Sequence, residues 1–253
     1  MTDLSILNIS LEHTDLPKRA ETMTSERKTA IVAGVLFITA TVAGILSVLF
    51  VGPIPGAPDY LGRISANDLN VKIGALFESI MAFAGAGTAI SMYPILRKHN
   101  VGGALASVAF RIIEAVIWIV DVIGLLLLLT LSQEFLKAGS PSSSFFQTCG
   151  TLLLALRYWA DIFAYTAFIL GALMYYSVFY QSRLIPRWLS GWGLVGVPLW
   201  LSGTLLTMFS FISLYSTIQV VLFLPIAVQE MVMATWLIVK GYSTSITPSD
   251  PGQ

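Results

Sequence analysis

Seven charged side chains stand inside stretches of the chain that are otherwise apolar: Glu78, Arg111, Glu114, Asp121, Arg157, Asp161 and Glu230. Charge at the centre of a bilayer costs roughly 2.5–3.5 kcal/mol per residue on insertion scales, so such groups pair, face an interior or carry function. Arg111, Glu114, Trp118 and Asp121 follow one another at steps of three, four and three, which places them on one helical face. Arg157 and Asp161 are one turn apart, and Tyr165 continues their stripe. Each arginine therefore has an acid within one turn. In both cases the cation precedes the acid, the weaker order within a helix, which leaves room for pairing between helices, such as Arg157 with Asp121 or Glu78. Five acids against two arginines leave three carboxylates unmatched. Either some of them carry a proton, or a cation or a small basic solute balances them. Buried protonatable acids of this kind are what proton-coupled transport requires.

The elements that must hold these residues are legible in the composition. The chain has 253 residues, of which 56% are hydrophobic and only 11% charged. Soluble domains carry about 25% charged residues. Six segments reach the roughly 20 apolar residues that a membrane-spanning helix needs. They run from about 29 to 51, 71 to 96, 104 to 131, 146 to 179, 189 to 209 and 217 to 239. The predicted fold is an all-α polytopic transmembrane helix bundle of six spans, one domain over residues 29–241. It is flanked by an N-terminal tail (1–28) and a C-terminal tail (242–253). By the same count Glu114, Asp161 and Glu230 lie near mid-membrane, Glu78 and Asp121 nearer the outside, and Arg111 nearer the cytoplasm.

Basic residues in the connections set the orientation. Lys18, Arg19, Arg27, Lys28, Arg97, Lys98, Arg183, Arg187 and Lys240 fall on one side, against Arg63, Lys72 and Lys137 on the other. Lys and Arg concentrate on the inner side of membrane proteins, so both termini are expected in the cytoplasm. Ser65-Ala66-Asn67-Asp68 has the form of a capping box opening the second span. The run Arg183-Leu184-Ile185-Pro186-Arg187-Trp188-Leu189-Ser190-Gly191-Trp192 alternates basic, aromatic and apolar residues. It is expected to lie along the inner surface, with Arg183, Arg187, Trp188 and Trp192 as candidate contacts to lipid headgroups or a partner. Ala40 and Gly44, and Gly85 and Ala89, have the small-residue spacing of close helix packing.

Several runs carry a resemblance when taken together: Tyr93-Pro94-Ile95-Leu96-Arg97-Lys98, Phe110-Arg111-Ile112-Ile113-Glu114-Ala115, Thr130-Leu131-Ser132-Gln133-Glu134-Phe135, the Arg183–Gly193 run and Gln229-Glu230-Met231. Over roughly Glu26 to Tyr242 the chain resembles the prokaryotic multi-pass membrane family catalogued as domain of unknown function 4386. That resemblance implies a prokaryotic plasma-membrane protein and carries over no catalytic residue.

Other chemistries find little support. Zero net charge offers no basic excess to neutralise nucleic-acid phosphates. The two histidines, His13 and His99, fall outside the spans, which removes His-ligated haem, a histidine-rich intramembrane zinc site and a Ser–His protease. The lone Cys149 permits no internal disulfide. No catalytic, metal or cofactor-binding set is expected. The leading expectation is a small transporter or permease-like protein. A non-catalytic sensor or scaffold is the alternative, and an intramembrane enzyme using acid pairs comes third. Six spans make either a complete bundle or half of a homo-oligomeric one.

Overall fold

The computed structural model describes residues 4–52, 59–139, 144–214 and 216–243, with side chains from Ser25 onward. The turn-rich stretch Pro53–Pro58, Ser140–Ser143 and the tail beyond residue 243 lie outside the described residues. Among the described residues there are seven helices and no strand. They are α1 (Leu4–Val51), α2 (Tyr60–Ala66), α3 (Asp68–Leu96), α4 (Val101–Lys137), α5 (Ser144–Ser182), α6 (Arg187–Met208) and α7 (Thr217–Val239). Six have segments long and apolar enough to cross a membrane; in α1 that segment is Ser25–Val51. The α1 helix starts at Leu4, so the polar N-terminal stretch joins the first span without a break. With 37 and 39 residues, α4 and α5 far exceed a hydrocarbon core of roughly 30 Å at about 1.5 Å per residue.

The spanning helices close into a ring. Each packs on its neighbour in the order α1, α3, α4, α5, α6, α7, and α7 returns to α1; α3 also touches α5 across the middle. The closing contact is tight: a Cβ on Gly34 of α1 would stand 2.6 Å from the Ala234 carbonyl oxygen of α7. Arg27 secures the same seam by donating to the carbonyls of Leu237 (3.0 Å), Ile238 (2.5 Å) and Val239 (3.2 Å). These are the last carbonyls of α7; Leu237 also accepts from the Gly241 amide at 3.1 Å, whereas no further helical turn satisfies Ile238 and Val239. Lys98 pairs with Glu26 at 2.7 Å, and the Ser243 amide donates to the Leu184 carbonyl at 2.8 Å. The N-terminal end of the first span, the α3–α4 turn, the α5–α6 turn and the end of α7 therefore share one end of the bundle. This is the basic end.

Two sequence expectations need correction at the helix ends. Ser65 does not cap the second span, because it belongs to α2, a short helix that the span pattern does not anticipate. Asn67 stands at the N-cap of α3 without a side-chain capping bond; its amide donates instead to the Arg63 carbonyl. Helix α2 buries Tyr60, Leu61 and Ile64, and that burial places it across the opposite end of the bundle. The Ser132 hydroxyl donates to the Leu61 carbonyl.

The run Arg183–Trp192 does not lie along the surface as one segment either. Leu184 and Ile185, 4% and 0% exposed, drop into the bundle. Helix α6 then begins at Arg187, with Pro186 at its N-cap. Two buried apolar residues followed by a proline at the helix start leave only a short turn. Arg183 supplies the left-handed residue that ends α5 (φ 58°), a position glycine usually fills.

Two apolar clusters fill the ring. At the basic end Phe37, Met92, Leu96, Tyr175, Tyr176, Phe179, Val197 and Leu237 belong to one. At the α2 end Val51, Tyr60, Leu61, Ile64, Val71, Ala75, Val122, Leu125 and Leu128 belong to the other.

Candidate functional site

The seven charged residues fall into two groups. The first lies just beneath the α2-end cluster. Val71 and Ala75 of that cluster precede Glu78 on α3, and Val122 follows Asp121 on α4. Arg157 Nη2 reaches Asp121 Oδ2 at 2.9 Å and Glu78 Oε2 at 3.8 Å, and Nη1 donates to the Asp121 carbonyl at 3.0 Å. Three helices thus meet on one guanidinium. A fourth joins through Ser47 of α1, whose hydroxyl donates to Glu78 Oε2 at 3.5 Å. Asp161, one turn beyond Arg157, interacts electrostatically with both Asp121 and Arg157. Glu78, Asp121 and Asp161 are 5%, 0% and 7% exposed. Glu78 Oε1 and both carboxylate oxygens of Asp121 are buried with no hydrogen-bond donor, the Arg157 contact to Oδ2 being an ion pair, although most buried polar atoms have a donor.

The second group is built around Arg111. Its Nη1 donates to Glu114 Oε2 at 2.7 Å, its Nε to the Gly85 carbonyl at 3.2 Å and its Nη2 to Thr88 Oγ1 at 3.4 Å. The guanidinium carbon sits 4.8 Å from the centre of the Phe168 ring, within cation–π range. Trp118, on the stripe read from the sequence, follows Glu114 by one turn and meets the Tyr165 ring edge-on at 5.8 Å. Arg111 also interacts electrostatically with Glu230 of α7. Tyr175 donates to Glu230 Oε1 at 3.1 Å. Next to it, Tyr176 donates to Gln229 Oε1, and Gln229 Nε2 donates to the Leu189 carbonyl at 2.9 Å. Helices α3, α4, α5, α6 and α7 are tied together in this group.

Arg157 thus pairs between helices, the option its order with Asp161 left open, whereas Arg111 pairs with Glu114 on its own helix. Sequence reasoning missed Ser47, Thr88, Phe168, Tyr175 and Tyr176. The Tyr175-Tyr176 doublet inside an apolar span was the available signal, since a buried hydroxyl in hydrocarbon needs a partner. It also took Gly85 for packing alone. A Cβ there would stand 3.0 Å from Arg111 Nη2, so the bare backbone is what admits the guanidinium to the Gly85 carbonyl.

The four inner-surface candidates divide differently. Arg183, Arg187 and Trp188 are exposed, with Arg187 5.4 Å over the Tyr180 ring, while Trp192 is half-buried on α6.

Fold and site together define a polytopic α-helical membrane protein with two charged groups enclosed in its bundle. The chain belongs to the family described as Domain of unknown function (DUF4386), which matches residues 32–241. No curated protein and no solved structure matches it.

Proposed function

We propose that the protein is a small permease-like transporter whose buried carboxylates bind a proton or a basic solute, seated in a prokaryotic plasma membrane with its basic end in the cytoplasm. One observation carries this reading. Each buried group has more acid than base: Glu78, Asp121 and Asp161 share Arg157, and Glu114 and Glu230 share Arg111. Carboxylates held out of water need a positive partner or a proton, and arginine supplies only part of it. Among the described residues no three of His, Cys, Asp and Glu converge in metal-ligating geometry, which favours a proton or an organic cation over a metal ion. The apolar clusters at both ends suit a closed state in which the polar interior reaches neither surface. Pro225, inside α7 and five residues before Glu230, supports local bending of the helix that carries this acid.

The test is pH-gradient-driven flux in proteoliposomes over a broad solute panel, wild type against Glu230→Gln. A solute that moves with the gradient, and at least tenfold more slowly in the variant, is the expected result. That factor corresponds to about 1.4 kcal/mol. Absence of flux for every solute, or equal flux in both proteins, sinks the reading. The second reading, a non-catalytic sensor or scaffold, is favoured by the enclosure itself: most of the seven charges are engaged by neighbouring helices. Its contact surface would be Arg183, Arg187 and Trp188 at the basic end.

A further inference from the structure

The atoms without donors in the Arg157 group ask for a specific occupant. Glu78 Oε1 and Asp121 Oδ1 are acceptors, buried to 5% and 0% residue exposure, and no donor reaches either. Their carboxyls nevertheless converge from α3 and α4 on one side chain of α5. Both also lean on the same guanidinium nitrogen, Arg157 Nη2, at 2.9 Å from Asp121 and 3.8 Å from Glu78. Two ionised carboxylates in this position would set acceptor against acceptor in low dielectric. A single proton turns one of them into a donor and removes one negative charge.

We propose that Glu78 and Asp121 share one proton, with Arg157 holding the pair, and that this pair is the chain's proton site at the α2 end of the bundle. The inference rests on the proton-binding reading above and assigns the proton a seat. The groups facing Glu78 from each packed element are few. Ser47 of α1 donates to Oε2, Asp121 of α4 is the proton's other holder, and Arg157 and Asp161 of α5 supply one charge of each sign. Arg157 is closer to Asp121, so the geometry puts the negative charge on Asp121 and the proton on Glu78. Asp161 stands outside the pair and interacts electrostatically with Asp121 and Arg157. Tyr60, Leu61 and Ile64 of α2 belong to the apolar cluster that separates the pair from that end of the bundle. The proton is therefore held away from water there.

Infrared spectroscopy of the purified full chain in lipid nanodiscs tests this without any transported solute. At neutral pH the wild type should show a protonated, buried carboxyl C=O band that shifts in D2O. Uniform 13C-glutamate labelling should move that band and 13C-aspartate labelling should leave its main component, with no variant required. Glu78→Gln should remove one component of the band, and Asp121→Asn should shift that same component by removing the charged acceptor. Glu134→Gln, at an exposed acid paired with Lys137, should leave it in place. No protonated carboxyl at neutral pH overturns the proposal, because the pair is then ionised and bridged by solvent. So does a band in which Glu78→Gln and Asp121→Asn leave every component unchanged. A band with the expected labelling in a protein that moves no solute keeps the proton site and sinks transport. Flux without the band does the reverse.

Discussion

Replacing Arg157 by Met removes an ion pair that exists only while α4 and α5 are docked. The pair to Asp121 at 2.9 Å and the bond to the Asp121 carbonyl at 3.0 Å both break when the helices separate. Arg111–Glu114, by contrast, spans three residues of α4 and survives separation of α4 from its neighbours. A charge-assisted bond contributes about 1.5–3 kcal/mol and an interhelical membrane hydrogen bond about 0.6, so Arg157→Met should cost about 2–4 kcal/mol. Asp121→Asn should cost less, about 1–2 kcal/mol, since the asparagine keeps the size of the side chain and an acceptor oxygen for Arg157. The double variant Arg157→Met/Asp121→Asn should then show a coupling of about 1.5–3 kcal/mol. The same cycle on Arg111 and Glu114 should give only about 0.2–0.5 kcal/mol, the value of a pair within one helix. Reversible unfolding in mixed micelles, where the helices persist and only their packing against one another is undone, measures both cycles. Coupling below about 0.5 kcal/mol at Arg157–Asp121, or equal coupling in the two cycles, refutes the reasoning.

Other consequences follow from the ring and its ends. Arg27→Ala should lower stability by about 1–2 kcal/mol by freeing the last carbonyls of α7, and proteolysis near Lys240 should accelerate. Gly34→Ala should cost about 1–3 kcal/mol, because the methyl meets a backbone oxygen and α1 must move away from α7. Gly44→Ala at the α1–α3 contact meets only the flexible Met81 thioether and should cost under about 1 kcal/mol in the same assay. Cysteines at Arg187 and Lys137 should react with a membrane-impermeant thiol reagent from opposite faces of intact cells or vesicles; labelling from one face would overturn the orientation.

Apolar length alone located the spans, since each needs enough hydrocarbon-compatible side chains whatever its neighbours do. Their ends were less legible. The α2 helix escaped because its seven residues are held by packing of Tyr60, Leu61 and Ile64 on distant helices, a signal no local window contains. Arg187–Trp192 looked interfacial by composition, yet burial of Leu184 and Ile185 drew the chain straight into α6. In the charged groups, spacing gave the Arg111–Glu114 pair because both ends lie on one turn. Glu230 shows the opposite case, since its partner Tyr175 comes from another helix 55 residues away.

Composition and periodicity determined that this chain is a six-span helical membrane protein with seven charges in its spans and three acids in excess. Those properties follow from bilayer thickness, helical repeat and electroneutrality, all of them local or additive. Only the tertiary structure decided how the charges divide. Helix rotation and the closing of α7 on α1 depend on long-range contacts such as Gly34 with Ala234 and Arg27 with the end of α7. Those contacts set three acids on Arg157, two on Arg111, and Glu78 against Asp121.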